Sequence, residues 1–281
     1  MLLPPDVMVR LVSGDIEVDV DLAEGVRALR WSVAGIELLA AHGSDPVEHG
    51  MYPMAPWAGR LRGNRVQWRG AEHELPLTYD AWAIHGTVLR QTATVLAFTQ
   101  DDDRATLVAR VTEHPGWPWP TAVDIGWEVR PTSVTTTITV HALTEPFPVV
   151  MGWHPWFRRT LGVGGPLEWT VAATGQLERG SDLLPTGRLL PFDAEAGPFD
   201  DAFVVPSGRA TVCWPGALAI DITSDSGWYV VFDELPECVC VEPQTGPPDG
   251  LHDAYGTPVA IAAPDAPVTM VTTWSVRDLS Q

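Results

Sequence analysis

The 281-residue chain has no lysine: its 17 basic residues are all arginines, set against 36 acidic ones, for a formal net charge of −19. Such a field repels nucleic acid and anionic membranes and favours solubility. It also makes a highly charged anionic substrate less natural, although a local arginine cluster would override the average. Cysteine is scarce, with residues at 213, 238 and 240 only. Cys238 and Cys240 stand two residues apart on an extended run, roughly 6.5–7 Å, too far for an easy disulfide. An odd count without a framework fits a reducing compartment, so a cytoplasmic location is expected. No apolar run is long enough to span a bilayer, and the opening Met1-Leu-Leu-Pro-Pro-Asp6 has neither the basic region nor the apolar run of a signal peptide. There is no convincing amphipathic helix of ten or more residues, no internal repeat and no low-complexity tract. No glycine-rich phosphate loop precedes a helix, and no Gly-x-Ser-x-Gly elbow occurs. Cys238-x-Cys240 lacks a second ligand pair at zinc-site spacing, which argues against structural zinc.

What the chain does have is turn chemistry and β-formers. Its 26 prolines and 25 glycines are spread along the whole length, and 45% of residues are hydrophobic, enough for a substantial core. Evenly spread turn residues predict many short strands in one domain covering 1–281. Strands are expected at 92–99, 105–112, 122–129, 134–142, 149–152, 167–172, 210–213, 217–222, 228–232, 238–242 and 268–276, after three short ones within 7–40 and one at 66–69. Residues 41–65 read as a long loop rich in Gly, Pro, Met and Trp, a length that is usually functional or disordered. About fifteen strands without helices mean an all-β sandwich or barrel.

One stretch near the end organises the rest: Glu237-Cys-Val-Cys-Val-Glu-Pro-Gln-Thr-Gly-Pro-Pro-Asp249. Alternation sets Cys238, Cys240 and Glu242 on one strand face, with Val239 and Val241 on the other. A buried carboxylate there is costly without a partner or a task. Pro243 holds Glu242 in the extended region, and Pro155 does the same for His154 in Gly152-Trp-His-Pro-Trp-Phe157. His85 stands in Trp82-Ala-Ile-His-Gly-Thr87, where Gly86 permits a close approach. Arg60 follows Trp57 in an aromatic loop, and Asp200 lies between aromatics in Pro198-Phe-Asp-Asp-Ala-Phe203. Each has a plainer reading: a charged strand end, packed histidines, a surface arginine lying on Trp57, a turn-capping aspartate. The 13 tryptophans tip the balance. Trp57, Trp82, Trp153 and Trp156 neighbour these polar residues, and flat rings beside hydrogen-bonding groups suit the C–H face and hydroxyls of a pyranose.

Taken together, Ala-Gly-Arg at 58–60, His-Gly at 85–86, Gly-x-His-Pro-Trp-Phe at 152–157, Phe-Asp-x-x-Phe at 199–203 and Glu-Pro-Gln-Thr at 242–245 resemble the aldose 1-epimerase (galactose mutarotase) family in order and spacing across some 190 residues. The resemblance implies a large antiparallel β-sandwich of the galactose mutarotase-like supersandwich type, working without metal or cofactor on the anomers of free hexoses. It implies Glu242 as the base at the C1 hydroxyl, His154 as the acid at the ring oxygen and His85 as a second histidine near that oxygen. It implies Arg60 and Asp200 as holders of sugar hydroxyls. Trp57, Trp153 and Tyr229 are expected beside the sugar, Tyr229 replacing a glutamine found in some members. Gly59 stands where many members carry Asn, and Trp156 where Tyr is common; both bear on which sugar is preferred.

Two other functions fit the same resemblance. A hexose-6-phosphate 1-epimerase would need cations around a phosphate, for which Arg62, Arg65, Arg158 and Arg159 are available. A non-catalytic sugar-binding protein would not need both Glu242 and His154. The expected partner is a small sugar, with no nucleic acid or membrane and a monomeric or weakly dimeric state.

Overall fold

The structure is a computed structural model that describes residues 8–251, 255 and 258–280. Two large antiparallel sheets dominate it. The first runs in the order Met8–Ser13, Ile16–Asp21, Arg27–Val33, Met51–Met54, Gly152–Pro155, Cys238–Gln244, Trp228–Phe232, Asp200–Val204, Gly175–Arg179, Pro185–Leu190, with Phe157–Arg158 and Ile36–Glu37 paired alongside. The second runs Glu168–Val171, Arg209–Trp214, Leu218–Ser224, Val268–Asp278, Ser133–Ala142, Thr121–Arg130, Ala105–Val111, Thr94–Gln100. Helical structure among the described residues is confined to three-residue 3-10 turns. The all-β sandwich expected from the sequence is therefore the observed architecture.

Burial follows the period-2 logic of strands. Ser133–Ala142 alternates strictly, with Val134, Thr136, Ile138 and Val140 inward and Thr135, Thr137 and Thr139 outward. Aromatic rings cross the interface between sheets: Trp153 meets Trp127 edge-on at 5.0 Å, and Trp31 meets Trp274 at 6.2 Å. Cys238–Gln244 differs, being buried at every position. One of its faces belongs to the inter-sheet core; the other is the floor of a cavity roofed by the connections around 42–60 and 79–85.

Two differences from the sequence reading stand out. The 41–65 loop contains a strand, Met51–Met54, in the middle of the larger sheet. Pro53 masks it, because proline removes a ladder donor and argues against a central strand. Several others, such as Ile36–Glu37, Phe157–Arg158 and Phe147–Val149, are too short for periodicity to register.

Candidate active site

Sheet register builds the site. Gly152 pairs with Gln244, and Phe157 with Val239, in one continuous register that sets His154 directly across from Glu242. Tyr52 lies opposite His154 on one side, and Val230 opposite Glu242 on the other. The neighbouring row carries Cys240, Phe232 and Asp200. Two parallel rows of side chains thus face one cavity of about 350 Å³, lined also by Arg60, His85, Trp156 and Gln244. That volume is at the small end of ligand pockets and suits a monosaccharide.

Glu242 and His154 are 2% and 6% exposed, and His154 Nε2 lies 3.3 Å from Glu242 Oε1. Gln244 Nε2 donates to Glu242 Oε2 at 3.0 Å. Burial, reinforced by the charge of Asp200, pushes the Glu242 carboxyl well above the usual carboxylate range. Burial also drives His154 down to about 3. Both shifts favour uncharged groups, so the pair shares one proton, close to the distance at which proton transfer operates.

The imidazole of His154 is held between two rings. Tyr52 stacks on it at 4.8 Å and Trp156 at 5.2 Å. One carbonyl anchors both: Tyr52 Oη and Trp156 Nε1 each donate to Val47 O at 3.0 Å. Val47 sits in the 3-10 turn Pro46–Glu48, which Asp45 and Glu48 close with a capping box.

His85 adopts φ +59°, a left-handed conformation uncommon for a non-glycine residue and found disproportionately at functional sites. Its backbone N–H donates to Gly59 O at 3.2 Å, and Gly59 N–H donates to His85 Nδ1 at 3.3 Å. Because Nδ1 accepts, the neutral ring carries its proton on Nε2. Burial and the neighbouring His154 keep the ring neutral, holding its pKa well below the ordinary value. His85 is therefore built to donate a hydrogen bond. Gly59 itself has φ +70°, and a Cβ there would come within 2.8 Å of Pro248. Asn tolerates that φ, but here Pro248 leaves no room for a side chain.

Arg60 Nη1 donates to Asp200 Oδ2 at 3.3 Å, and Arg179 Nη1 donates to the same oxygen at 3.0 Å. Burial nevertheless raises the Asp200 carboxyl, partly offset by these two guanidinium groups. Five expected site residues thus converge on the cavity: Glu242, His154, His85, Arg60 and Asp200. The expectation for the other three is corrected. Trp153 precedes His154 by one residue, so it points to the opposite sheet face and into the core. Tyr229 precedes Val230 by one and does likewise, its hydroxyl donating to Gly208 O at 2.9 Å. Trp57 is fully buried and stacks on Trp117 at 5.5 Å. Ring contacts in the cavity come instead from Trp82, Trp156, Tyr79 and Phe232. Tyr52 was not anticipated, because its strand was read as loop. Gln244 was in plain view, two residues after Glu242 on the same face.

The four arginines available for a phosphate are elsewhere. Arg62 is bound to Asp249 and Asp182 beside a separate cavity of about 700 Å³, and Arg65 to Glu72. Arg158 donates to Leu39 O, and Arg159 to the carbonyls of Asp233 and Leu235. For metals, the ligand atoms of His154, Cys240 and Glu242 lie within 4.8 Å of one another.

Comparison with known proteins agrees with this geometry. A family model described as aldose 1-epimerase matches residues 33–226, a span that contains Arg60, His85, His154 and Asp200. An uncharacterised Escherichia coli K12 protein, YphB, is 23% identical over 240 residues, covering 78% of this chain and 80% of its own. Among solved structures, a galactose mutarotase-like protein from Clostridium acetobutylicum superimposes with a TM-score of 0.84 at 15% identity, covering 96% of this chain and 94% of its own. A galactose 1-epimerase from Lactobacillus acidophilus does so with a TM-score of 0.74 at 13% identity, covering 94% and 92%. No helix among the described residues is long and apolar enough to cross a membrane. With a family match over more than two thirds of its length and the fold to go with it, the chain belongs to the aldose 1-epimerase family.

Proposed function

We propose that this protein interconverts the α and β anomers of a neutral free aldohexose, with Glu242 and His154 as the proton-transfer pair. The observation that carries the reading is their direct apposition, at 3.3 Å, on the floor of a monosaccharide-sized cavity. In the reactive form, His154 holds the shared proton and Glu242 is a carboxylate. Glu242 takes the proton from the C1 hydroxyl as His154 delivers its own to the ring oxygen. The C1–O5 bond breaks, leaving an open aldehyde, neutral His154 and protonated Glu242. Ring opening thus converts a buried ion pair into two uncharged groups, the direction that burial favours. Rotation about C1–C2 and reversal of the transfers close the ring on the other face.

His85 Nε2–H is a donor for the ring oxygen region, and Arg60 and Asp200 are placed to hold hydroxyls. A neutral sugar is favoured over a hexose phosphate because Arg60 is the one arginine lining the cavity among the described residues, and it is already paired with Asp200. Retention of an acid–base pair in contact favours catalysis over passive binding. Polarimetry on fresh α-glucose, α-galactose and glucose 6-phosphate separates these readings. Glu242→Gln should lower turnover by roughly 10²–10⁴-fold while sugar binding persists. Rates like those of the wild type in that variant would refute the base assignment.

A further inference from the structure

The acid–base pair has a third neighbour that proton transfer does not use. Cys240 occupies the next row of the same strand, fully buried, with its thiol, a carboxylate oxygen of Glu242 and a ring nitrogen of His154 all within 4.8 Å. We propose that this trio forms a site for a thiophilic divalent ion of the zinc class, and that its occupation switches off proton transfer.

The geometry fits such an ion. Zinc bonds of about 2.0–2.1 Å to nitrogen and oxygen in a tetrahedral site separate those two atoms by roughly 3.3–3.4 Å. His154 Nε2 and Glu242 Oε1 stand 3.3 Å apart. A zinc–sulfur bond of about 2.3 Å asks only that the Cys240 side chain draw in slightly. Charge fits as well. Thiolate, carboxylate and neutral imidazole carry two negative charges, so the complex with a divalent cation is neutral and costs little to bury. A thiolate and an imidazole select zinc-like ions over magnesium or calcium. The fourth position opens toward the cavity. Beside it the pocket floor is under-satisfied: His154 Nδ1 and Gln244 Oε1 are buried without a hydrogen-bond partner.

Binding balances as one Zn²⁺ taken up against two protons released, one from the Cys240 thiol and one from the Glu242–His154 pair. With both groups coordinated, neither can exchange a proton with a hemiacetal. This effect on turnover rests on the epimerase reading; the site itself does not.

Titration of the full chain with Co²⁺, a spectroscopic stand-in for zinc, decides the matter. One ion per chain should bind with a thiolate-to-cobalt charge-transfer band, and Zn²⁺ should displace it. The band should survive in the double variant Cys213→Ser/Cys238→Ser, whose single thiol is Cys240, and vanish in Cys240→Ser. Absence of the band in wild type, its loss in the double variant, or its persistence in Cys240→Ser overturns the proposal. In the activity arm, stoichiometric Zn²⁺ should block mutarotation of the preferred sugar and a chelator should restore it. Cys240→Ser should be at least about tenfold less sensitive, since even supporting residues of metal sites are worth ~10–100-fold in affinity. A chain that binds the ion as described yet turns over no sugar would sink the epimerase reading and leave the metal site standing.

Discussion

Glu242 is the residue at which function and stability oppose each other. Its folded-state pKa is raised by burial, so the folded chain holds the proton where the unfolded chain releases it. Stability from this group is intact below the ordinary carboxylate pKa of about 4.5 and declines as pH rises above it. Replacing it with glutamine removes that penalty while keeping an acceptor for Gln244 Nε2. Glu242→Gln should therefore melt higher than wild type at pH 7, and the difference should shrink as pH falls toward 4.5. A few degrees is the natural scale, because ~1 kcal/mol corresponds to roughly 2–4 °C in large domains. Thermal melts at several pH values would test this; a gap that widens on acidification contradicts it. His154 works in the other direction. Its depressed pKa costs stability as pH falls from the ordinary 6.5 toward about 3.

At the scale of elements, the connection carrying Gly59 and Arg60 is fastened to the one carrying His85 by reciprocal hydrogen bonds. Gly59→Ala would place a methyl against Pro248 at φ +70°, a conformation costing about 1–2 kcal/mol in a non-glycine residue before any clash. We expect it to shift Arg60 and His85 together and lower kcat/KM by at least about tenfold; unchanged kcat/KM would show the connection to be more pliant than its contacts suggest.

The same scale shows what the sequence could reveal. His154 and Glu242 were legible because each precedes a proline and each lies on a readable strand. Trp153 and Tyr229 were misplaced because nearness along the chain was taken for nearness to the sugar, when a step of one residue reverses the face. Tyr52 was hidden by Pro53. The sandwiching of His154 between Tyr52 and Trp156 depends on a carbonyl, Val47 O, and no main-chain acceptor can be read from side-chain identity.

For the whole molecule, the charge of −19 acts against compactness, since like charges repel more strongly once folded. Many of the arginines are already paired locally, as Arg110 is with Asp124 and Arg277 with Asp221. Raising ionic strength from ~0.01 to ~0.15 M shortens the screening length from about 30 to about 8 Å. The melting temperature should rise over that range. A fall would mean that attractive surface pairs outweigh the net repulsion.

The strand that carries Glu242 has no idle side: one face closes the hydrophobic interior while the other presents the reacting groups. The chemistry is thus wired into the part of the molecule that is last to come apart. Warming should not produce a folded but inert protein, because whatever separates the carboxylate from the imidazole must also prise the two sheets from each other.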